Sequence, residues 1–186
     1  MKNPYDTGNP YQAISQEARV MGASPVEIVR LLYAGAIERL MRAQMLMKTP
    51  YAVLFRQDAL LARLAALQGS EGVEARFEEA DKTENPDEAQ KMFLDIAKEV
   101  EDLATGVKRA REYQKAILGA MQIIEGLRGS LVFDDDNPIA PKLESLYLFC
   151  LDKASQAHEE QKPEVLDEVL LVLRTLREGW DKVGEA

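Results

Sequence analysis

The chain has 186 residues, with 32 acidic against 23 basic side chains, a formal net charge of -9 and an isoelectric point near 4.8. That balance argues against a nucleic-acid partner, which needs a basic stripe to displace counterions, and against an anionic membrane surface. The length allows one domain with a real core. No apolar run reaches the roughly 18 residues of a membrane span, the polar start MKNPYDTGNPYQ lacks the apolar centre of a signal peptide, and the single cysteine, Cys150, fits a reducing compartment. A cytoplasmic protein is the expectation.

Residues 1–10 hold prolines, a glycine and Asn/Asp side chains, the composition of a flexible arm. Tyr11 to Met21 reads as a short helix with Tyr11, Ile14, Ala18 and Met21 on one side. After Gly22 comes the strongest signal in the chain. Ser24-Pro25 is an N-cap with a first-turn proline, and Glu27 completes a capping box. The helix that follows runs to about Met47. It is too apolar for a single stripe: Val29, Leu32, Tyr33, Ala36 and Leu40 make one face, and Ile28, Leu31 and Gly35 continue onto a second.

Thr49-Pro50 repeats the cap-plus-proline signal and sets a break. Tyr51 to Leu67 is a second helical stretch, with Val53, Leu54, Leu60, Leu61, Leu64 and Leu67 apolar, and GSEG at 69–72 is a turn. Residues 73–88 are acidic and poor in aliphatics, the pattern of a solvated helix or mobile loop. From Pro86 the helical period runs through Met92, Ile96, Val100, Leu103 and Val107 to Ile117, Met121, Ile124 and Leu127, with Thr105-Gly106 as a candidate interruption. DDDNP at 134–138 is a loop. Pro141 opens a helix to about His158 with Leu143, Leu146, Tyr147, Cys150 and Ala154 inward. After Lys162-Pro163 the last helix reaches about Val183, with Leu166, Val169, Leu170, Leu173, Leu176 and Trp180 inward. The fold class is all-α: an antiparallel up-down bundle of four main helices, with an inserted helical segment between the first and second. The expected division is an arm with a short helix at 1–22, a bundle core at 23–48 and 112–186, and the insertion at 49–111.

No catalytic constellation emerges, and the chain reads as a non-enzyme with no cofactor and no small-molecule substrate. His158 is the only histidine, and position 155 is serine, so a di-metal Glu-x-x-His pair is absent. One cysteine and one histidine cannot build a structural zinc site. Asp134 to Asn137 lacks the glycine and terminal glutamate of a calcium loop and reads as a solvated connector. The Lys108, Arg109, Arg111, Lys115 cluster is flanked by acids and reads as a solvated helix face. What remains is excess apolar surface. Ile123 and Leu131 widen the stripe of the second main helix, and Val165, Leu171 and Val172 lie outside that of the last. Such surface marks an interaction site, unless the inserted helices cover it.

Tyr11, Ala23-Ser24-Pro25 and Leu32-Tyr33 with Gly35-Ala36, followed by Leu143, Leu146, Tyr147, Leu151 and Ala154 and then VLDEVLLVLRTLREGW, resemble the pattern of the FliS family, the flagellin export chaperones. The resemblance covers about 9–48 and 112–182. It implies a helical bundle that binds the C-terminal segment of flagellin in apolar grooves, prevents its premature polymerisation and delivers it to a component of the flagellar export gate. It also implies that the N-terminal arm can occupy part of the groove. Tyr11, Ile14, Ile28, Leu31, Leu32, Ile123, Leu127, Tyr147 and Val172 are the residues expected to meet the partner. The alternative is a helical adaptor of the same fold with a different exported client or a regulatory partner.

Overall fold

The computed structural model describes residues 8–66, 72–134 and 138–184. Among them, every regular element is helical: α1 (Pro10–Val20), α2 (Pro25–Met47), a 3-10 turn (Pro50–Phe55), α3 (Gln57–Ala66), α4 (Val73–Lys82), α5 (Pro86–Gly129), α6 (Ala140–Glu160) and α7 (Val165–Gly184). The chain forms two compact units, one of residues 1–49 and 113–186 and the other of residues 50–112.

Local chemistry sets the ends of the first two helices. Asn9 caps α1 by accepting from the Tyr11 N–H at 3.0 Å, with Pro10 in the first turn. Gly22, at φ +78, closes α1: its N–H donates to the Arg19 carbonyl and that of Ala23 to the Ala18 carbonyl, a Schellman pair. The capping box on α2 is formed in both directions, Glu27 N–H to Ser24 Oγ and Ser24 N–H to Glu27 Oε2.

The larger unit is an up-down bundle, which the cross-helix pairs establish. Between α2 and α7, Arg30 meets Asp181 and Gln44 meets Asp167. Between α5 and α6, Tyr113 meets His158 and Arg128 meets Glu144. In each case residue numbers rise on one helix as they fall on the other, so the partners are antiparallel. Lys153 on α6 pairs with Glu168 on α7 across their short connection. The core lies between these helices. Leu32, Tyr33, Ala36 and Leu40 of α2 meet Ile117, Ile123, Ile124 and Leu127 of α5, Tyr147, Cys150 and Ala154 of α6, and Leu166, Val169 and Leu173 of α7, all buried. Each large aliphatic side chain here contributes about 1.5–3 kcal/mol.

One polar cluster sits inside that core. The hydroxyls of Tyr33 and Tyr147 bond at 2.5 Å, with the Trp180 side chain as a further hydrogen-bonding neighbour of Tyr33. Trp180, expected inward, is therefore half-buried at the rim rather than deep in the core. Val29, Met121 and Leu176 are likewise only half-buried.

In the smaller unit, α3 and the 3-10 turn replace the single helix expected over Tyr51 to Leu67. The acidic stretch forms α4, held to α5 by Arg76–Glu99 and by the tilted ring pair Phe77–Phe93. Thr105-Gly106 does not interrupt α5, which stays helical through both residues. Gly106 serves close approach instead: a Cβ there would collide with the Leu54 side chain. Phe55, Ala80, Ile96 and Leu103 are the buried apolar centre of this unit. The arm residues 1–7, Leu67, most of the GSEG turn and residues 135–137 of the DDDNP loop lie outside the described residues.

The division predicts an outcome. Gly35 of α2 lies near Ile123 of α5, and the antiparallel register carries Met47 level with roughly Tyr113 at about 1.5 Å per residue. Replacing 50–112 with a short Gly/Ser linker is therefore expected to leave a helical protein with one cooperative unfolding transition by circular dichroism. An aggregated or non-cooperative product would show that the bundle needs residues 50–112 to complete its core.

Candidate binding surface

Helix α1 lies on the bundle because two facing helices lack side chains where it sits. On α2, a Cβ at Gly35 would stand 2.7 Å from Cδ1 of Ile14 and 3.6 Å from Cδ1 of Ile123. On α5, a Cβ at Gly126 would collide with the ring of Tyr11, and one at Gly119 would touch Pro10. Pro10, Tyr11 and Ile14 thus fill a notch floored by glycines, with Ile123 beneath. Sequence reading finds Tyr11 and Ile14 but not their seat, because single glycines inside helical patterns carry no signal of what faces them.

The nine residues expected to meet a partner divide by burial. Leu32, Ile123, Leu127 and Tyr147 are core residues, each at most 2% exposed, and none is open to a partner in this conformation. The reason is geometric: α5 packs against both α2 and α6, so its second apolar stripe is consumed by the bundle, and Tyr147 is held by Tyr33. Tyr11, Ile14, Ile28 and Val172 are half-buried. Leu31 is open, at 46%. The structure also leaves open Met21, the C-cap of α1, at 77% exposed and Leu171 on α7 at 66%, both on the apolar pattern of the sequence, and adds Met41 and Met45 on α2, which that pattern did not select.

Two shallow grooves share Leu31 and Ala34. One, of about 410 Å³, lies between α2 and α7 and is lined by Ala23, Glu27, Arg30, Leu31, Ala34, Arg177 and Asp181. The other, of about 400 Å³, lies between α1 and α2 and adds Ile14, Ala18, Met21 and Gly35, rimmed by Glu17, Glu38 and Arg39. In the first, Arg30 is tied to Asp181 at 2.5 Å. The Glu27 carboxyl is held below its usual range by the Ser24 backbone N–H, then by the Ser24 hydroxyl and Arg30.

Burial pushes the Cys150 thiol up to about 12, so it is protonated at neutral pH. Among the described residues, no three His, Cys, Asp or Glu side chains gather as a metal site, and no helix is long and apolar enough to cross a membrane. The arrangement offers shape, apolar contact and a charged rim.

Comparison with known proteins supplies the family. The family model described as "Flagellar protein FliS" matches residues 73–186. The match begins inside the 49–111 segment, taking in α4 and all of α5, and leaves out residues 1–72. A curated relative, the flagellar secretion chaperone FliS of Vibrio cholerae serotype O1, is 24% identical over 173 residues, covering 93% of this chain and 85% of its own. No solved structure matches. With more than half of its length under the family model and an all-helical bundle beneath it, the chain belongs to the FliS family.

Proposed function

We propose that this protein is a cytoplasmic export chaperone that binds the C-terminal segment of flagellin, keeps it from polymerising before export and helps deliver it to the flagellar export gate. The observation that carries this reading is the α1 seat. A short amphipathic helix of the chain's own occupies a glycine-floored notch, beside a second face of α2 that leaves Leu31 open. A notch that accepts one amphipathic helix can accept another. A client segment that is disordered alone can lay its apolar side there and fold on binding. Family membership and the name of the Vibrio cholerae relative favour an exported flagellar protein as that client. The apolar surface, Met21 and Met41 included, suits a chaperone, since flexible methionines adapt to imperfect fits.

The test is a calorimetric titration with the C-terminal segment of the cognate flagellin. One-to-one binding with a clearly negative heat-capacity change is expected, because apolar surface is buried as the segment folds. No heat at tens of micromolar (roughly 7 kcal/mol or weaker) would overturn the reading.

A further inference from the structure

Resting on the client reading, we propose that the groove between α2 and α7 is a docking pocket for an acidic side chain carried on an amphipathic segment of the client, anchored by Arg177 over a floor of Leu31 and Ala34. Three of the groove's charges are already committed to partners and one is not. Four charged groups line the groove. Arg30 and Asp181 neutralise each other in a direct ion pair. Glu27 is held by the Ser24 N–H at the start of α2, where the helix end favours a negative charge. Arg177 is half-buried at the wall of the groove and has no hydrogen-bond or ion-pair partner among the described residues. A guanidinium left over in a pocket of an acidic chain is complementary to a carboxylate, which it can take through two parallel N–H donors.

The floor specifies the rest of the ligand. Leu31 is 46% exposed, and Ala34 lies one turn further along α2. From Glu27 to Ala34 the groove follows α2 for about 10 Å at 1.5 Å per residue, the length of two helical turns. An apolar side chain resting on Leu31 and an acidic one three or four positions away on the same helix face would meet the floor and Arg177 together. Periodicity alone does not find this site, because Arg177 falls at helical spacing among Leu170, Leu173 and Trp180, and the pattern does not say what a polar residue there faces.

The experiment titrates the cognate flagellin C-terminal segment into the full-length wild type, Arg177→Glu, Arg177→Ala, and Lys182→Glu as a control for net charge at an exposed site on the same helix. Arg177→Glu is expected to weaken binding about tenfold and Arg177→Ala by less, with Lys182→Glu near wild type and the difference shrinking at high salt. Replacing the segment's Asp and Glu residues by lysine one at a time should yield one peptide that binds Arg177→Glu better than it binds wild type. Equal affinity of wild type and Arg177→Glu, or an equal loss in Lys182→Glu, would overturn the pocket while leaving the client reading intact. If amidating the segment's C-terminus reproduces the loss and no internal replacement does, the anchor takes a chain-terminal carboxylate and the assignment to a side chain is wrong. No binding by the wild type overturns the client reading and this pocket with it.

Discussion

The protein is expected to lose stability steeply between about pH 9 and about pH 12, the window set by four buried acids. Burial raises the Tyr113 phenol to about 12 and the Cys150 thiol to about 12. It raises Tyr33 against the opposing hydrogen bonds from Tyr147 and Trp180, and it raises Tyr147, with the neighbouring Tyr33 adding to the shift. Of the four side chains, none is more than 2% exposed. In the unfolded chain a thiol loses its proton near pH 8.5 and a phenol near 10. A group whose pKa is raised by folding stabilises the native state fully below its unfolded value. That contribution is lost as pH climbs toward the folded value, because only the unfolded chain releases the proton. Each group removes about 1.4 kcal/mol per pH unit while it is ionised in the unfolded chain alone. Cys150 alone therefore costs on the order of 4 kcal/mol by pH 12, and the tyrosines add to it, against a total stability of roughly 5–15 kcal/mol. Urea midpoints followed by circular dichroism from pH 7 to 11 measure this directly. Cys150→Ala should start less stable, for the cavity it leaves, but should hold its midpoint flat to about pH 10, where wild type already declines. A wild-type midpoint unchanged to pH 11 would contradict the buried, neutral state assigned to these groups.

The second large effect is expected from a single methyl group. Gly126→Ala places a Cβ where the Tyr11 ring now rests. In a helix interior alanine is favoured over glycine by about 1 kcal/mol, so the bundle keeps its stability while α1 loses its seat. Limited trypsin cleavage after Arg19 should accelerate, since Arg19 is exposed on α1 and is protected only by the helix around it. If α1 competes with client for the notch, the variant and a deletion of residues 1–18 should both bind the flagellin segment about tenfold more tightly. A self-competitor multiplies the apparent affinity by the fraction of free notch, so removing it tightens binding. Unchanged affinity in both would make the arm a bystander. A large loss in the deletion would make it part of the client's site.

Much of the helical framework was legible in the chain. The capping box at Ser24 and the prolines at 25, 50, 86 and 141 mark helix starts through backbone chemistry that is local and needs no tertiary context. What failed was whatever depends on a neighbour. Gly106 reads as a helix breaker on propensity, yet it is kept because Leu54 packs onto it. Ile123 reads as spare apolar surface and Leu127, on the main stripe, as a partner residue, yet α5 is flanked by helices on both sides and buries both. Leu31 and Ile123 have the same character in sequence, and only packing separates the open residue from the closed one. Gly35 and Gly126, which make the α1 seat, carry no signal beyond the absence of a side chain.

Client and α1 are expected to use the same notch, and hydrogen exchange on the complex tests this most directly. With the flagellin C-terminal segment bound at saturation, amides of α1 over residues 11–20 should exchange faster than in the free protein. Those of α2 around Leu31 to Gly35 and of α5 around Gly119 to Gly126 should keep or gain protection, because one helix has replaced another on the same floor. Saturating, one-to-one binding that leaves α1 as protected as before would contradict the account and move the client to a different face of the bundle.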